Sequence, residues 1–294
     1  MTRAAFEEHR GRLFGIAYRM LGTVTDAEDV LQEAWLRWNA ADRDAVAEPG
    51  AYLATVVTRL AIAELTSARA RRESYVGPWL PEPVDTSADP LLGAERAEAL
   101  SLGVLVLLER LSPAERAAFV LHAAFEYPHS RVAEVLETSE ANARQLFSRA
   151  KKHLDAARAR PATPGERARL RDAFLAAARS GDLAGLEAVL TADVVAMSDG
   201  GGKVLAARKT VGGPARVAQF LLGVLDKFGR GITAVPVVVN GEPAMLGRGP
   251  TGVPVALWSV DVAGDGIRGV FIVLNPDKLS RFALSRFAGP SALS

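Results

Sequence analysis

The chain has 294 residues, 49% of them hydrophobic, and a formal net charge of +1, which suits two or three small packed domains rather than one. It holds no cysteine and only four histidines, which excludes disulfides, thiol catalysis and cysteine-ligated zinc and leaves little for a histidine-rich metal site. No apolar run reaches the roughly 18 residues a membrane helix needs, and the N-terminus, with Glu7, Glu8 and Arg10, lacks a signal-peptide core. A cytoplasmic protein with no membrane partner, metal or cofactor is expected.

Residues 1–74 read as helices. Phe6, Leu13, Phe14, Ala17, Tyr18 and Leu21 form one apolar stripe, ended by Gly22. Thr25-Asp26-Ala27-Glu28 has the form of a capping box. It opens a second helix with Ala27, Val30, Leu31, Ala34, Trp35 and Trp38 inward and Asp26, Asp29, Gln32, Glu33 and Arg37 outward. A third helix, about 51–70, carries Tyr52, Thr55, Thr58, Arg59 and Ala63 and ends in a basic tail with Arg69, Arg71 and Arg72, suited to phosphates or to a helix C-terminus.

Residues 75–100 form a linker. Its core, Trp79-Leu80-Pro81-Glu82-Pro83, cannot be helical and runs extended. A passive tether needs no Trp and Leu beside prolines, so a docking strand with a cover for Trp79 is expected.

Residues 101–160 form a second helical unit. Ser112-Pro113-Ala114-Glu115 is a capping box with proline at the first helical position, leading an apolar helix to about Phe125. A short helix from Pro128 to Leu136 turns at Glu137-Thr138 into a longer one capped by Ser139. That is helix-turn-helix layout. In the second helix Ala143, Leu146, Phe147, Ala150 and Leu154 face inward. Asn142, Arg144, Gln145, Ser148, Arg149 and Lys152 face out, supplying donors for base edges and cations for phosphates. Residues 1–160 carry about 20 Lys and Arg against about 23 Asp and Glu, so local clusters rather than the total decide what this half binds.

Residues 165–294 change character. Two amphipathic helices break at Gly181-Asp182, a strand at 194–197 runs into a glycine turn, a helix covers 214–228, and β-rich segments follow at 232–240, 244–248, 253–262 and 267–274. The pattern predicts an α+β cone with a curved antiparallel sheet. Asp199, Asp261 and Asp265 are acid–base candidates by type, but no histidine follows His153 and no carboxylate pair is recognisable, so an enzyme is not expected. Asp199-Gly200-Gly201-Gly202-Lys203 lacks the spacing and the Ser/Thr of a phosphate-binding P-loop.

The run from Asp26 to Trp38 resembles the core-polymerase-binding helix of bacterial sigma factors. Followed by a linker and a helix-turn-helix, it is similar to the extracytoplasmic-function (ECF) sigma factors, which keep only the second and fourth sigma domains. The resemblance implies that Asp26, Asp29, Gln32 and Glu33 dock on the polymerase core, through its β′ subunit, with β as a further partner. It also implies that Asn39, Tyr52, Thr55, Thr58, Arg59, Ala63, Arg69, Arg71 and Arg72 open and read −10 promoter DNA, and that Ser139, Asn142, Arg144, Gln145, Ser148, Arg149 and Lys152 contact the −35 region. Holding melted bases fits the chemistry, since each flipped base needs a pocket and neutralised phosphates. The C-terminal block looks like the SnoaL-like branch of the nuclear-transport-factor-2 (NTF2) superfamily. Three segments, Trp79 to Pro83, Asp199 to Lys203 and Asn275-Pro276-Asp277-Lys278-Leu279, together resemble the signature trio of the ECF41, or SigJ-like, subgroup with a fused SnoaL-like extension.

The resemblance implies a sigma factor controlled in cis: domain 2 at 1–74, linker at 75–100, domain 4 at 101–160 and a regulatory domain at 165–294 that packs on domain 2 and the linker. It implies a monomer when free, with room for a small ligand in the cone. A helix-turn-helix regulator with a small-molecule-sensing NTF2-like domain is the alternative, and the acidic helix argues against it.

Overall fold

The computed structural model describes residues 2–42, 46–86, 101–155 and 162–284. The chain divides into two compact units: Met1–Tyr75 with Thr86–Pro161 and Val239–Glu242, and Val76–Asp85 with Ala162–Val238 and Pro243–Ser294.

In the first unit α1 (Thr2–Leu21), α2 (Val24–Ala40) and α3 (Pro49–Glu73) pack on one another. The α1 stripe is buried throughout, as are Ala27, Val30, Leu31, Ala34 and Trp38 of α2, while Trp35 is half-buried. The cap of α2 differs from the expected box: Thr23 stands at the N-cap and its hydroxyl oxygen accepts from Asp26 N at 3.2 Å, two residues ahead of Thr25. Gly22, left-handed at φ 77°, brings the chain round so quickly that the earlier threonine reaches the first turn.

The same unit continues with α4 (Leu102–Leu108), α5 (Pro113–Phe119), α6 (His129–Val135) and α7 (Glu140–Asp155). The Ser112 capping box forms as expected, both hydrogen bonds present. Beyond Phe119 the helix widens into a π turn over Val120–Ala124 instead of running straight to Phe125. Such turns insert a residue and re-aim the side chains that follow. Ala143, Leu146, Ala150 and Leu154 of α7 are buried, and Phe147 stacks on Phe119 with centroids 6.1 Å apart.

The second unit is α+β. Helices α8 (Pro164–Ser180, boxed at its start by Thr163 and Glu166), α9 (Leu183–Val189) and α10 (Pro214–Phe228) cover a sheet. Its strands are β1 (Leu190–Asp199), β2 (Val211–Gly212), β3 (Thr233–Val239), β4 (Glu242–Arg248), β5 (Pro254–Ala263) and β6 (Gly266–Val273). Their order is β2-β1-β6-β5-β4-β3. Phe174, Ala177, Leu186, Val217 and Leu221 from the helices meet Val194, Ala196, Ile267, Val270 and Ile272 from the sheet. At about 1.5–3 kcal/mol for each large side chain buried, this layer holds the unit together.

The sheet is not wholly antiparallel. β1 and β6 pair in parallel, with Asp199 opposite Val273. The chain between them, through β2, α10 and the β3–β5 meander, is long enough for the crossover a parallel pair requires. The consequence is local: parallel strands finish at the same edge, so the segments after β1 and β6 emerge side by side.

Candidate functional site

At that shared edge the three motifs meet within the second unit. Asp199, the last residue of β1, is fully buried, and its backbone carbonyl accepts from Leu274 N at 2.8 Å and Asn275 N at 2.9 Å. Asn275 caps the short helix α11 (Pro276–Leu279) with its Oδ1, which receives Asp277 N at 3.1 Å. This cap turns Lys278 inward. Lys278 Nζ lies 2.7 Å from Asp199 Oδ2, both side chains at most 8% exposed. Two buried opposite charges at that distance stabilise each other only because further hydrogen bonds complete their shells. The linker completes them. Leu80 N donates to Asp199 Oδ2 at 2.9 Å, Leu80 O accepts from Lys278 Nζ, and Gly201 N donates to Asp199 Oδ1 at 3.0 Å.

Both backbone groups of one linker residue are therefore held by the two halves of a buried ion pair, with the Leu80 side chain itself fully buried. Lys278 also stands over the Trp79 ring, 4.4 Å from its centroid, and so supplies a cover for Trp79. Pro81, Glu82 and Pro83 are buried, and Glu82 receives Arg281 Nε at 3.2 Å. Lys203 pairs with Asp277 at 2.5 Å across the mouth of the site. The glycines follow from space: a Cβ on Gly201, at φ 62°, would lie 2.4 Å from Asn275 Nδ2, and one on Gly200 would lie 2.5 Å from Val204 O. Arg281 was invisible to motif reasoning because it lies past the third segment. Of the acid–base candidates, Asp199 serves the linker, Asp261 pairs with Arg268 at 2.7 Å, and Asp265 is exposed in a turn.

In the first unit, Asp29, Gln32 and Glu33 are exposed on α2 and Asp26 is half-buried, its carboxylate receiving the Thr23 hydroxyl at 2.6 Å. Asp29 and Gln32 line a groove of ≈ 420 Å³ with Phe6, Glu7, Arg10, Glu28, Leu31 and Trp35. Glu33 instead pairs with Arg37 at 2.9 Å. Phe6 meets the Trp35 ring edge-on at 5.2 Å. The α1 contribution to this groove escaped sequence reasoning, since nothing in a single helical stripe says which neighbour it will flank.

The −10 set is divided. Asn39 and Ala63 are exposed, Thr55 is half-buried with its hydroxyl donating to Ala51 O at 3.0 Å, and Tyr52 lies against Trp38 with centroids 5.9 Å apart. Thr58 corrects the expectation. It is fully buried and donates to Ala54 O at 2.7 Å, so it is part of the α1–α3 core and not a DNA-facing group. Helical spacing sets it about 100° around the helix from exposed Arg59, enough to turn it inward. Arg59 and Arg72 are engaged by other parts of the same unit, and the side chains of Arg69 and Arg71 lie outside the described residues, as do positions 43–45 of the preceding loop.

On α7, Arg144, Gln145, Ser148, Arg149 and Lys152 are exposed on one face. Ser139 caps the helix by accepting from Asn142 N at 3.2 Å, and Asn142 Nδ2 donates to Thr138 Oγ1 at 2.8 Å, which makes Asn142 a brace of the turn. Arg144 is steadied by Glu140 and Arg149 stands 3.8 Å from Glu115. Burial pushes the Glu115 carboxyl up, but the Ser112 hydroxyl and N–H, with Arg149 nearby, outweigh it and hold the group below its ordinary range. Behind the helix His122 and His129 stack at 4.1 Å against Phe147. Burial, then His122 and Arg144, hold His129 below the ordinary histidine value.

An acidic-faced helix on a three-helix unit, joined through a linker to a helix-turn-helix, is the layout of the sigma-70 proteins. The sigma-70 region 2 family matches residues 5–71 and the sigma-70 region 4 family matches residues 101–154. The ECF RNA polymerase sigma factor SigJ of Mycobacterium tuberculosis H37Rv is 40% identical over 293 residues, covering 95% of this chain and 94% of that one. A probable ECF RNA polymerase sigma factor, SigI of the CDC 1551 strain, is 32% identical over 83% of each chain. The crystal structure of M. tuberculosis SigJ superposes with a TM-score of 0.76 at 36% identity, covering 94% of this chain and 98% of that one. This chain belongs to the ECF RNA polymerase sigma factors. Its sigma-70 regions imply the polymerase core and promoter DNA as partners.

Proposed function

We propose that this chain directs promoter-specific initiation in the cytoplasm and that its C-terminal α+β domain, an NTF2-like cone, controls it in cis. Domain 2 (1–74) binds the polymerase core through Asp26, Asp29, Gln32 and Glu33 and reads −10 DNA with Asn39, Tyr52, Thr55, Arg59, Ala63, Arg69, Arg71 and Arg72. Domain 4 (101–160) reads −35 DNA with Arg144, Gln145, Ser148, Arg149 and Lys152, on a helix set by Ser139 and Asn142. The observation that carries the regulatory reading is the grip on Leu80, whose N–H and C=O are both taken by the buried Asp199–Lys278 pair.

Linker held against the C-terminal domain is withdrawn from the tether that lets domains 2 and 4 span a promoter. Docking therefore biases which domain placements are populated, and only some suit polymerase and promoter together. A ligand in the cone would shift that balance only by binding the two states unequally.

The test is in vitro transcription with bacterial core polymerase on sheared DNA from the source organism, comparing the full chain, a version ending near residue 164 and Lys278→Met. New promoter-specific transcripts whose yield differs between the first two, with Lys278→Met tracking the shortened chain, support both parts. Initiation identical in all three overturns cis control, and no core binding by any version overturns the sigma reading.

A further inference from the structure

The helix-turn-helix occupies Arg59 of α3, a member of the −10 set proposed above. Arg59 Nε donates to Val135 O at 2.9 Å, Nη2 donates to Glu134 O at 3.0 Å, and Nη1 lies 2.8 Å from Glu137 Oε1. The guanidinium thus caps the C-terminus of α6, where the last carbonyls lack helical partners and the helix dipole favours a cation. The turn beyond α6 is a Schellman motif: Thr138 N reaches Ala133 O at 2.9 Å and Glu137 N reaches Glu134 O at 3.3 Å. Its left-handed position, φ 53°, is held by Glu137 where glycine would be unstrained. What glutamate adds there is the carboxylate that meets Arg59.

A second tie runs in the same direction. Glu109, just past α4, receives Arg72 of α3 and Arg116 of α5. Arg116, fully buried, donates through Nε to Arg19 O of α1 at 3.0 Å. A third is made by Arg12 of α1, whose Nη2 donates to Phe125 O at 2.9 Å while its guanidinium lies over the Phe125 and Tyr127 rings. The Arg59–Glu137 tie is exposed, the kind that salt or a competing polyanion weakens, whereas the tie through buried Arg116 is screened much less.

We propose that this is a latch: the helix-turn-helix unit and promoter DNA compete for Arg59 of α3, which changes partners when DNA binds. The inference rests on the −10 assignment of α3 above and is separate from control by the C-terminal domain.

The informative variant is Glu137→Gly, which suits the left-handed turn and removes the carboxylate facing Arg59. The chain has no cysteine, so Thr66→Cys on α3 and Ser130→Cys on α6, both exposed, give a clean donor–acceptor pair in the full chain. Glu137→Gly should melt at or above the parent temperature yet show lower transfer efficiency. It should bind a fluorescein-labelled, mixed-sequence single-stranded 20-mer DNA about two- to fivefold more tightly, the range expected for an exposed ion pair. Adding 0.5 M NaCl should lower the parent's efficiency towards the variant's. Equal efficiency and equal DNA affinity in parent and Glu137→Gly overturn the latch. Lower efficiency with no gain in DNA binding overturns the competition. If Arg59→Ala leaves the parent's DNA affinity unchanged, the −10 assignment has failed and the competition with it, whatever the fluorescence reports.

Discussion

Replacing Lys278 by Met tests whether the linker is held by the buried ion pair. The substitution keeps most of the unbranched stem but removes the cation 2.7 Å from Asp199, the donor to Leu80 O and the charge over Trp79. Breaking a buried pair from one side costs about 3–5 kcal/mol, because the remaining charge is left uncompensated. Asp199 still receives Leu80 N and Gly201 N, which places the expected loss near the lower end, about 3 kcal/mol. At 1.4 kcal/mol per tenfold, the docked-to-undocked ratio of the linker falls about a hundredfold. Hydrogen exchange at the Leu80 amide reads this directly, since its partner is Asp199, and should accelerate by about the same factor. The Ile272 amide in β6 should stay protected, showing that the linker leaves while the sheet stays folded. Lys278→Met combined with Asp199→Asn should recover more than half the loss, as neither charge is then stranded. Leu80 exchange within threefold of the parent, or a double variant worse than Lys278→Met alone, would refute the reasoning.

Gly201→Ala should lower the urea midpoint of the C-terminal domain by the equivalent of about 2 kcal/mol or more, from the left-handed backbone and the Asn275 clash, whereas Gly212→Ala, with nothing within 4 Å of its Cβ, should be near neutral; equal shifts would contradict the packing argument. His129 titrates below its unfolded value of 6.5, so the folded chain binds fewer protons than the unfolded one in that window. Its contribution to stability is full above about pH 6.5 and is lost as pH falls through the folded value, and His129→Gln should flatten calorimetric melting temperature between pH 7 and 5. Ser112→Ala removes the N-cap of α5 and should cost about 1 kcal/mol in denaturant unfolding, with the Glu115 carboxyl titrating higher by NMR. An unmoved Glu115 titration would mean that Ser112 is not what holds it down.

Much of the first unit was legible because its signals are local. Helical spacing identified the buried faces of α1, α2 and α7, and the Ser112 box and the Ser139 cap were readable from a few adjacent residues. Reading failed where a single residue shifts the phase. Thr25-Asp26-Ala27-Glu28 has the form of a capping box, yet the tight turn at Gly22 gives that place to Thr23; the family resemblance implies a DNA role for Thr58, yet its side chain turns inward. A π turn replaced the expected straight helix for the same reason: apolar periodicity does not reveal one extra residue in a turn.

By itself the amino-acid order determined the helical units, the helix-turn-helix, the break into an α+β block and the three short segments that mark the linker and the two loops. It did so because capping, periodicity and proline each act over a few residues. Which of those segments touch was decided only by the tertiary structure. The parallel pairing of β1 with β6 carries Asp199 and Lys278 to one edge, an arrangement that an antiparallel sheet would have undone by sending them to opposite ends. The partners of Arg59 and Arg72 were likewise beyond sequence, since a guanidinium suits a phosphate, a carboxylate or a helix C-terminus equally well, and only the fold brings one of them within reach.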